Sequence, residues 1–334
     1  MIRDSLFITG GTGGLGPAII KELINSGFKL RVFAKEPPDA YFQEDYRGVD
    51  LIIGDIVDAD LKKVLDNCNI VIHMAALAHI NDPGPKTEVM YEKINVEGTR
   101  RIINAAINMG IKRFIFFSTI GVYGPTINII ANENTPPNPE SPYARSKLRA
   151  EKIVLSAKNE KGNPISTVIR LATVYGPNDK GNFRKLAKMA SKGLSISIGR
   201  GSTKKTLIYE KDVALAIKEI LNNDLTINKV YNVTDGATHS VREIMVAIYE
   251  ALGRKPKIVH LPEMPVRMGL RFLEKSTNML GLKPKYGEWI IDKYIQDVSI
   301  SGEKFIKETG FKPKYDLKTG WQETIKEMIK RGDL

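Results

Sequence analysis

The sequence predicts an α/β protein built on a doubly wound parallel sheet, with a smaller mixed α/β lobe. Three observations predict it. Short apolar runs alternate with segments of helical period through the first half of the chain. The first apolar run enters a glycine cluster, Thr9-Gly10-Gly11-Thr12-Gly13-Gly14-Leu15-Gly16. After Pro177 the pattern changes to shorter, mixed elements.

Ser5-Leu6-Phe7-Ile8-Thr9 reads as the first strand, and Ala18, Ile19, Leu23 and Ile24 then recur at helical spacing. The order is strand, glycine turn, helix. Glycines 11, 13 and 16 fit G-x-G-x-x-G, and glycines 10, 13 and 16 fit G-x-x-G-x-x-G equally well. In either register the missing Cβ lets the backbone turn tightly and approach a pyrophosphate. N–H groups at the helix start then receive the anion. Gly10, Gly13, Leu15 and Gly16 are the cradle residues expected at a dinucleotide. Further strands are expected at 30–34, 51–53, 70–73, 114–118 and 167–171. Helices fall between them, notably 88–109 and 143–158. Right-handed crossovers make the sheet parallel. Val230-Tyr231-Asn232-Val233 reads as a strand that returns to this sheet. The expected division, a dinucleotide-binding Rossmann-type domain over 1–176 and a substrate lobe over 177–334, is therefore not a single cut.

Ser141-Pro142 reads as a helix N-cap and first turn, which puts Tyr143 in that turn and Lys147 one turn further on the same face. A free tyrosine has a pKa of about 10 and is a poor base at neutral pH. A nearby ammonium and a helix N-terminus both favour the phenolate, so the pair makes a sensible general acid/base. Lys147 is also placed to reach the ribose hydroxyls of a nicotinamide nucleotide. Ser118 and Thr119 end the apolar run Phe114-Ile115-Phe116-Phe117, at the strand end that faces the ligand crevice of a parallel sheet. Cradle, phenol, cation and hydroxyl are the parts that pass a hydride between a nicotinamide and an alcohol carbon.

With these residues the chain resembles the extended short-chain dehydrogenase/reductases, in the branch of nucleotide-sugar epimerases, dehydratases and reductases. The resemblance also rests on Gly54-Asp55-Ile56, His73-Met74-Ala75-Ala76, Asn95-Val96-Glu97-Gly98-Thr99, Ser118-Thr119-Ile120-Gly121-Val122-Tyr123-Gly124, Arg170-Leu171-Ala172-Thr173-Val174-Tyr175-Gly176-Pro177 and Thr309-Gly310-Phe311-Lys312-Pro313. It implies that Thr119, rather than Ser118, is catalytic with Tyr143 and Lys147. It implies that Asp55 bonds the adenine with Ile56 beside it, and that Ala75 and Ala76 pass close to the cofactor. Asn95 is implied near the substrate, and Asn182 and Lys205 at a nucleotide diphosphate. Many members carry Arg where Lys205 stands, and lysine loses the bidentate fork. Some epimerases carry Asn where Thr173 stands.

Two departures bear on the reaction. Members that prefer NAD carry an acid near Ala34 to hold the adenosine ribose. Here Lys35 follows instead, and a cation suits a 2′-phosphate, so the cofactor is NAD or NADP. The 4,6-dehydratases that the chain resembles place Asp-Glu after the catalytic threonine. Ile120-Gly121 stands there, which argues against 4,6-dehydration. The leading expectation is C4 epimerisation of a nucleotide sugar. Its rivals are a 4-keto-sugar reductase using NADPH, a steroid- or flavonoid-type reductase, and a non-catalytic nucleotide sensor.

The whole chain sets outer bounds. Its 334 residues allow a large core. No signal peptide is read at the start, no apolar run is long enough to span a bilayer, and Cys68 is the only cysteine, so a cytoplasmic protein is expected. His73, His79, His239 and His260 show no ligand spacing, and no metal site is expected. The net charge of +12 comes from scattered lysines without a nucleic-acid motif, so no nucleic-acid partner is expected. The basic amphipathic segment 265–275 is expected to be a lid or packing helix, with peripheral membrane contact as the alternative. A homodimer is expected through helices 88–109 and 143–158, with an apolar stripe of Leu148, Ile153 and Leu155 on the second.

Overall fold

The computed structural model describes residues 4–78, 84–179, 181–279, 291 and 295–334. Seven parallel strands form the main sheet: β1 (Ser5–Thr9), β2 (Lys29–Ala34), β3 (Asp50–Ile53), β4 (Ile70–His73), β5 (Arg113–Thr119), β6 (Ser166–Leu171) and β10 (Lys229–Val233). Their order is β10-β6-β5-β4-β1-β2-β3. The order reverses between β1 and β4, which opens a crevice at the C-terminal strand ends. All six strands expected in the first half are present, each within a residue or two of its expected bounds. The strand at 230–233 returns to the sheet edge, where Val230 pairs with Val168 and Val233 with Leu171.

Strand alternation builds two cores, one on each face. Leu6, Ile8, Ile70, Ile72, Ile115 and Phe117 point to one layer, and Phe7, Val71, Phe114 and Phe116 to the other. The first layer is covered by α1 (Gly16–Asn25) and α7 (Glu210–Leu221). The second is covered by α2 (Leu61–Leu65), α4 (Gly98–Asn108) and α5 (Pro142–Ser156). A sheet buried on both faces needs continuous apolar strands, and that is why these runs are legible.

The helix expected at 88–109 is interrupted. α3 (Pro85–Tyr91) passes into a π-helical turn over Glu92–Glu97 before α4 begins. A wide turn of this kind is held by contacts outside the helix, here those of Asn95 described below. The residues of the expected stripe on α5 are half-buried, Leu148 packing against the first core and Ile153 and Leu155 against the second. The outer side of α5 carries Arg145 and Arg149, paired with Glu88 and Glu92.

The later chain adds β7 (Thr173–Tyr175), α6 (Asn182–Ser191), β8 (Ser195–Ile198), β9 (Lys204–Tyr209), β11 (Thr238–Ser240), α8 (Val241–Ala251), β12 (Ile258–Leu261) and α9 (Glu263–Met279). β11, β9 and β7 form a three-stranded sheet, and β12 pairs with β8. Their core centres on Tyr175, Tyr209, Tyr249 and Trp321. Phe305 and Phe311 instead join the first core of the main sheet, so the chain crosses between the two bodies repeatedly.

Candidate active site

The glycine turn is shaped by close approach. Gly10 adopts φ 70°, and a Cβ there would lie 2.7 Å from the Ala75 backbone. A Cβ on Gly16 would collide with the Gly11 carbonyl at 1.6 Å. Glycine is required at both positions, which serve one or both of the registers read from the sequence. Gly13 and Gly14 are exposed at the start of α1, with Leu15 as its N-cap. A Cβ on Gly14 would meet the Asn178 carbonyl at 3.2 Å, so the loop after β7 leans over the turn. Asn182 opens α6 a few residues later and is exposed. This cradle, closed to any side chain yet exposed at its tip, fits a dinucleotide pyrophosphate.

The β4 end is tied to the cradle through His73. The Thr99 hydroxyl gives its proton to the Asn95 carbonyl at 2.6 Å, so it accepts from His73 Nε2 at 2.9 Å. Nδ1 is then the acceptor, and Thr9 Oγ1 donates to it at 2.6 Å while accepting from the Ala75 N–H. The tautomer is assigned from this network. Burial, aided by the Lys147 charge, holds the His73 pKa down to about 3, so the ring is neutral. Ala75 is thereby fixed against Gly10, and Ala76 follows it on the same exit from β4.

Asn95 is buried in the π-helical turn. It accepts from the Leu77 N–H at 2.7 Å, donates to the Leu77 carbonyl at 3.0 Å, and donates to Ser146 Oγ at 3.0 Å. Its amide therefore supports the loop after β4 and the helix α5, rather than standing open to a substrate. His79, further along that loop, lies outside the described residues.

Helix α5 starts as the sequence predicts. Ser141 Oγ accepts from the Ala144 N–H at 3.1 Å, and Pro142 fills the first turn. Tyr143 is half-buried, with its ring 6.0 Å from that of Tyr91. Lys147 is buried, and its Nζ sits 4.1 Å above the centre of the Phe116 ring. Burial first, with the Tyr91 phenol second, pushes the Tyr143 pKa up to about 12. Burial likewise brings Lys147 down to about 7, against the opposing pull of Glu151. This corrects the expected lowering of the Tyr143 pKa. Both causes raise it, and desolvation is the larger.

The two hydroxyls that end β5 diverge. Ser118 is buried and bonds Glu151. Thr119 is half-buried and accepts from the Gly121 N–H at 3.1 Å. A Cβ on Gly121 would lie 3.3 Å from Thr119 Oγ1 and 3.7 Å from Ala144 Cβ, which brings Thr119 beside the residue that follows Tyr143. Behind them runs a buried network that sequence reasoning missed. Arg170 donates to both oxygens of Glu151 at 2.7–3.2 Å and to the Tyr123 hydroxyl at 2.8 Å. Tyr123 in turn donates to Asn232 at 2.9 Å. The network clamps α5 to β5, β6 and β10. Its only trace in the sequence is a set of polar residues inside apolar runs.

At the far edge, Lys35 just after β2 and Asp55 two residues beyond β3 form an ion pair. Ile56 is buried, and a Cβ on Gly98 would lie 2.5 Å from it. Lys205, on β9, is half-buried and donates to the Gln296 carbonyl at 2.8 Å. Among the described residues, no group of three or more His, Cys, Asp or Glu side chains is arranged to hold a metal ion. No described helix is long and apolar enough to cross a membrane.

The model of the NAD dependent epimerase/dehydratase family matches residues 6–234. A UDP-glucose 4-epimerase of Vibrio cholerae is 27% identical over 331 residues, covering 97% of this chain and 95% of that protein. An N-acetyl-alpha-D-glucosaminyl-diphospho-ditrans,octacis-undecaprenol 4-epimerase of Escherichia coli O157:H7 is 26% identical over 326 residues, covering 97% and 95%. The solved structure of a Thermus thermophilus UDP-glucose 4-epimerase complex with NAD superposes with a TM-score of 0.77. It has 24% identity and covers 99% of this chain and all of that one.

Proposed function

Because the chain belongs to the NAD dependent epimerase/dehydratase family, we propose that it is a sugar-diphosphate 4-epimerase working through transient oxidation at C4. The observation that supports the reading is that Gly121 lies between Thr119 and Ala144 of α5, the residue after Tyr143, with no acid in the turn that follows Thr119. Ile120 is buried in the core and Gly121 is hemmed between Thr119 and Ala144. A dehydration at C5 and C6 needs its own acid and base, and this turn supplies neither.

When bound, the nicotinamide supplies a hydride acceptor and donor at C4 of the sugar. Tyr143 takes the proton of the 4-hydroxyl and returns it after the keto sugar has turned over. Thr119 hydrogen-bonds the reacting oxygen and keeps it within reach of the phenol. Lys147 holds the nicotinamide ribose and supplies the positive charge that makes loss of the Tyr143 proton less costly. The turn at Gly10, Gly13, Leu15 and Gly16 receives the pyrophosphate, Asp55 and Ile56 the adenine, and Ala75 and Ala76 line the cofactor's path. Asn182 and Lys205 serve the sugar-bearing diphosphate, and Asn95 acts through Leu77 and Ser146. NAD is favoured over NADP, since Lys35 already has a carboxylate neighbour.

The carrier on the diphosphate is a nucleoside, uridine in the first relative. A polyprenol, as in the second, is the alternative, favoured by the exposed apolar residues of α9. Exposed Val89 and Met90 on α3 support a two-fold contact through the α3–α5 side. The test is incubation with a panel of UDP-, GDP- and dTDP-sugars and a polyprenyl-diphosphate sugar, with and without added NAD. C4 epimers identified by NMR support the reading. A 4-keto-6-deoxy product, or net consumption of NADPH, overturns it.

A further inference from the structure

We propose that the outward face of α9 docks on an anionic membrane surface. Met264, Met268, Phe272 and Met279 are between 64% and 89% exposed. At about 100° per residue they fall within an arc of roughly 80° and along roughly 22 Å of helix. One exposed methionine needs no explanation, but four on one face form a patch.

The charges on that face decide the partner. Arg271 and Lys275 are exposed and lie on or beside the same arc. The acids of the helix, Glu263 and Glu274, lie on another side and are half-buried, and Glu263 pairs with Arg267 at 2.7 Å. Val266 and Leu270 turn the opposite way and are half-buried. Packing on the protein, the role expected for 265–275, thus falls, among the described residues, on side chains away from the exposed arc, while Leu273, also exposed, lies outside both. Among the described residues of the helix, the outward face carries apolar side chains and the cation Lys275, with Arg271 at its edge, and no carboxylate. That is the composition of a helix lying in a lipid headgroup layer, with its apolar residues among the acyl chains and its cations at the phosphates. A second copy fits poorly, because a two-fold contact would bring Arg271 and Lys275 of both copies together. The strand leading into α9 adds exposed Val259, paired with exposed Ile196. The net charge of +12 draws the whole chain toward the same surface.

The test is co-sedimentation of the full chain with two vesicle types, phosphatidylcholine alone and phosphatidylcholine with phosphatidylglycerol. Wild type should partition at least about tenfold more strongly to the anionic vesicles. Met268→Glu with Phe272→Glu should reduce that binding by about tenfold or more, with an unchanged melting temperature. Arg271→Glu with Lys275→Glu should abolish the preference for phosphatidylglycerol. Absence of wild-type sedimentation, or unchanged binding by the Met268/Phe272 variant, overturns the proposal. A wild-type dimer that this variant splits, seen by light scattering, also overturns it and assigns the face to a second copy. None of these readouts needs turnover, so they stand or fall apart from the epimerase reading.

Discussion

Lys35 Nζ lies 3.2 Å from Asp55 Oδ2, joining the segments that follow β2 and β3. The sequence suggested separate roles for them, a 2′-phosphate for one and the adenine for the other. Paired, they work against a 2′-phosphate. A hydrogen bond from the Val57 N–H, with Lys35 after it, holds the Asp55 carboxyl below its usual range. It stays ionised beside any phosphate that Lys35 would attract.

NAD should therefore bind more tightly than NADP, and Asp55→Asn should narrow the gap. The pair is largely exposed and worth about 0–1 kcal/mol, so Lys35 is free to contribute to NADP binding that does occur. Lys35→Glu should weaken NADP by about ten- to a hundredfold and NAD by much less, since a charge-assisted hydrogen bond is worth about 1.5–3 kcal/mol. Calorimetric titration with both cofactors reads this. Equal losses for the two would make Lys35 a bystander.

The divergence of Ser118 and Thr119 separates stability from turnover. Tyr143→Phe should lower kcat by about 10²–10⁴ while cofactor binding persists. Thr119→Val should also reduce kcat severely. Ser118→Ala removes a buried donor from Glu151 and should lower stability by about 1–3 kcal/mol with little change in kcat. Urea unfolding and steady-state rates on the same preparations distinguish the two effects. A Ser118 variant that loses turnover while Thr119→Val keeps it would reverse the assignment.

What was legible in the sequence was local or repetitive. Buried parallel strands show as continuous apolar runs, and the glycine turn and the Ser141-Pro142 cap announce themselves within a few residues. What was not legible depends on partners far away in the chain. Thr9 and His73 are 64 residues apart, and Asn95 and Ser146 are 51 apart, yet each pair shares a hydrogen bond. The π-helical turn was hidden because Asn95, which holds it, gives no periodic signal. Leu148, Ile153 and Leu155 looked like one stripe because helical spacing does not say which core a side chain enters.

The buried Lys147 should be visible by its titration. Its pKa near 7 means that the ammonium is about half deprotonated at neutral pH in the free protein. NMR of lysines labelled at the ε carbon should show one resonance with a midpoint near 7, absent from Lys147→Met. Glu151→Gln removes the carboxylate that favours the charged form and should move that midpoint lower. A set of lysine resonances all titrating near 10.5 would refute the shift and with it the account of the site's electrostatics.

Stability should depend on pH through three buried groups, with Glu210 opposed by Lys147 and His73. Glu210 is buried under the loop after β7, where Asn178 donates to it from its backbone and its side chain. Burial outweighs these bonds and raises its pKa from 4.5 to about 8. Between those values the folded protein holds a proton that the unfolded chain has lost. This contribution is complete below about 4.5 and is lost as pH rises through about 8. Lys147 acts in reverse. Its folded pKa of about 7 lies below 10.5, so its contribution is present above 10.5 and is lost as pH falls through about 7. From about 4.5 to 6.5 the fall from Glu210 is offset by His73, whose folded pKa of about 3 lies below 6.5 and whose contribution is lost as pH falls through about 3, so the wild-type curve should be nearly flat there. Glu210→Gln should turn that limb into a rise of up to about 1.4 kcal/mol per pH unit, because the amide carries no proton to lose and His73 then acts alone. Lys147→Met should flatten the rise above pH 8 and leave the acid limb alone. Urea unfolding of the three proteins across this range tests the scheme, and parallel curves for wild type and Glu210→Gln would show that Glu210 is ionised in the fold after all.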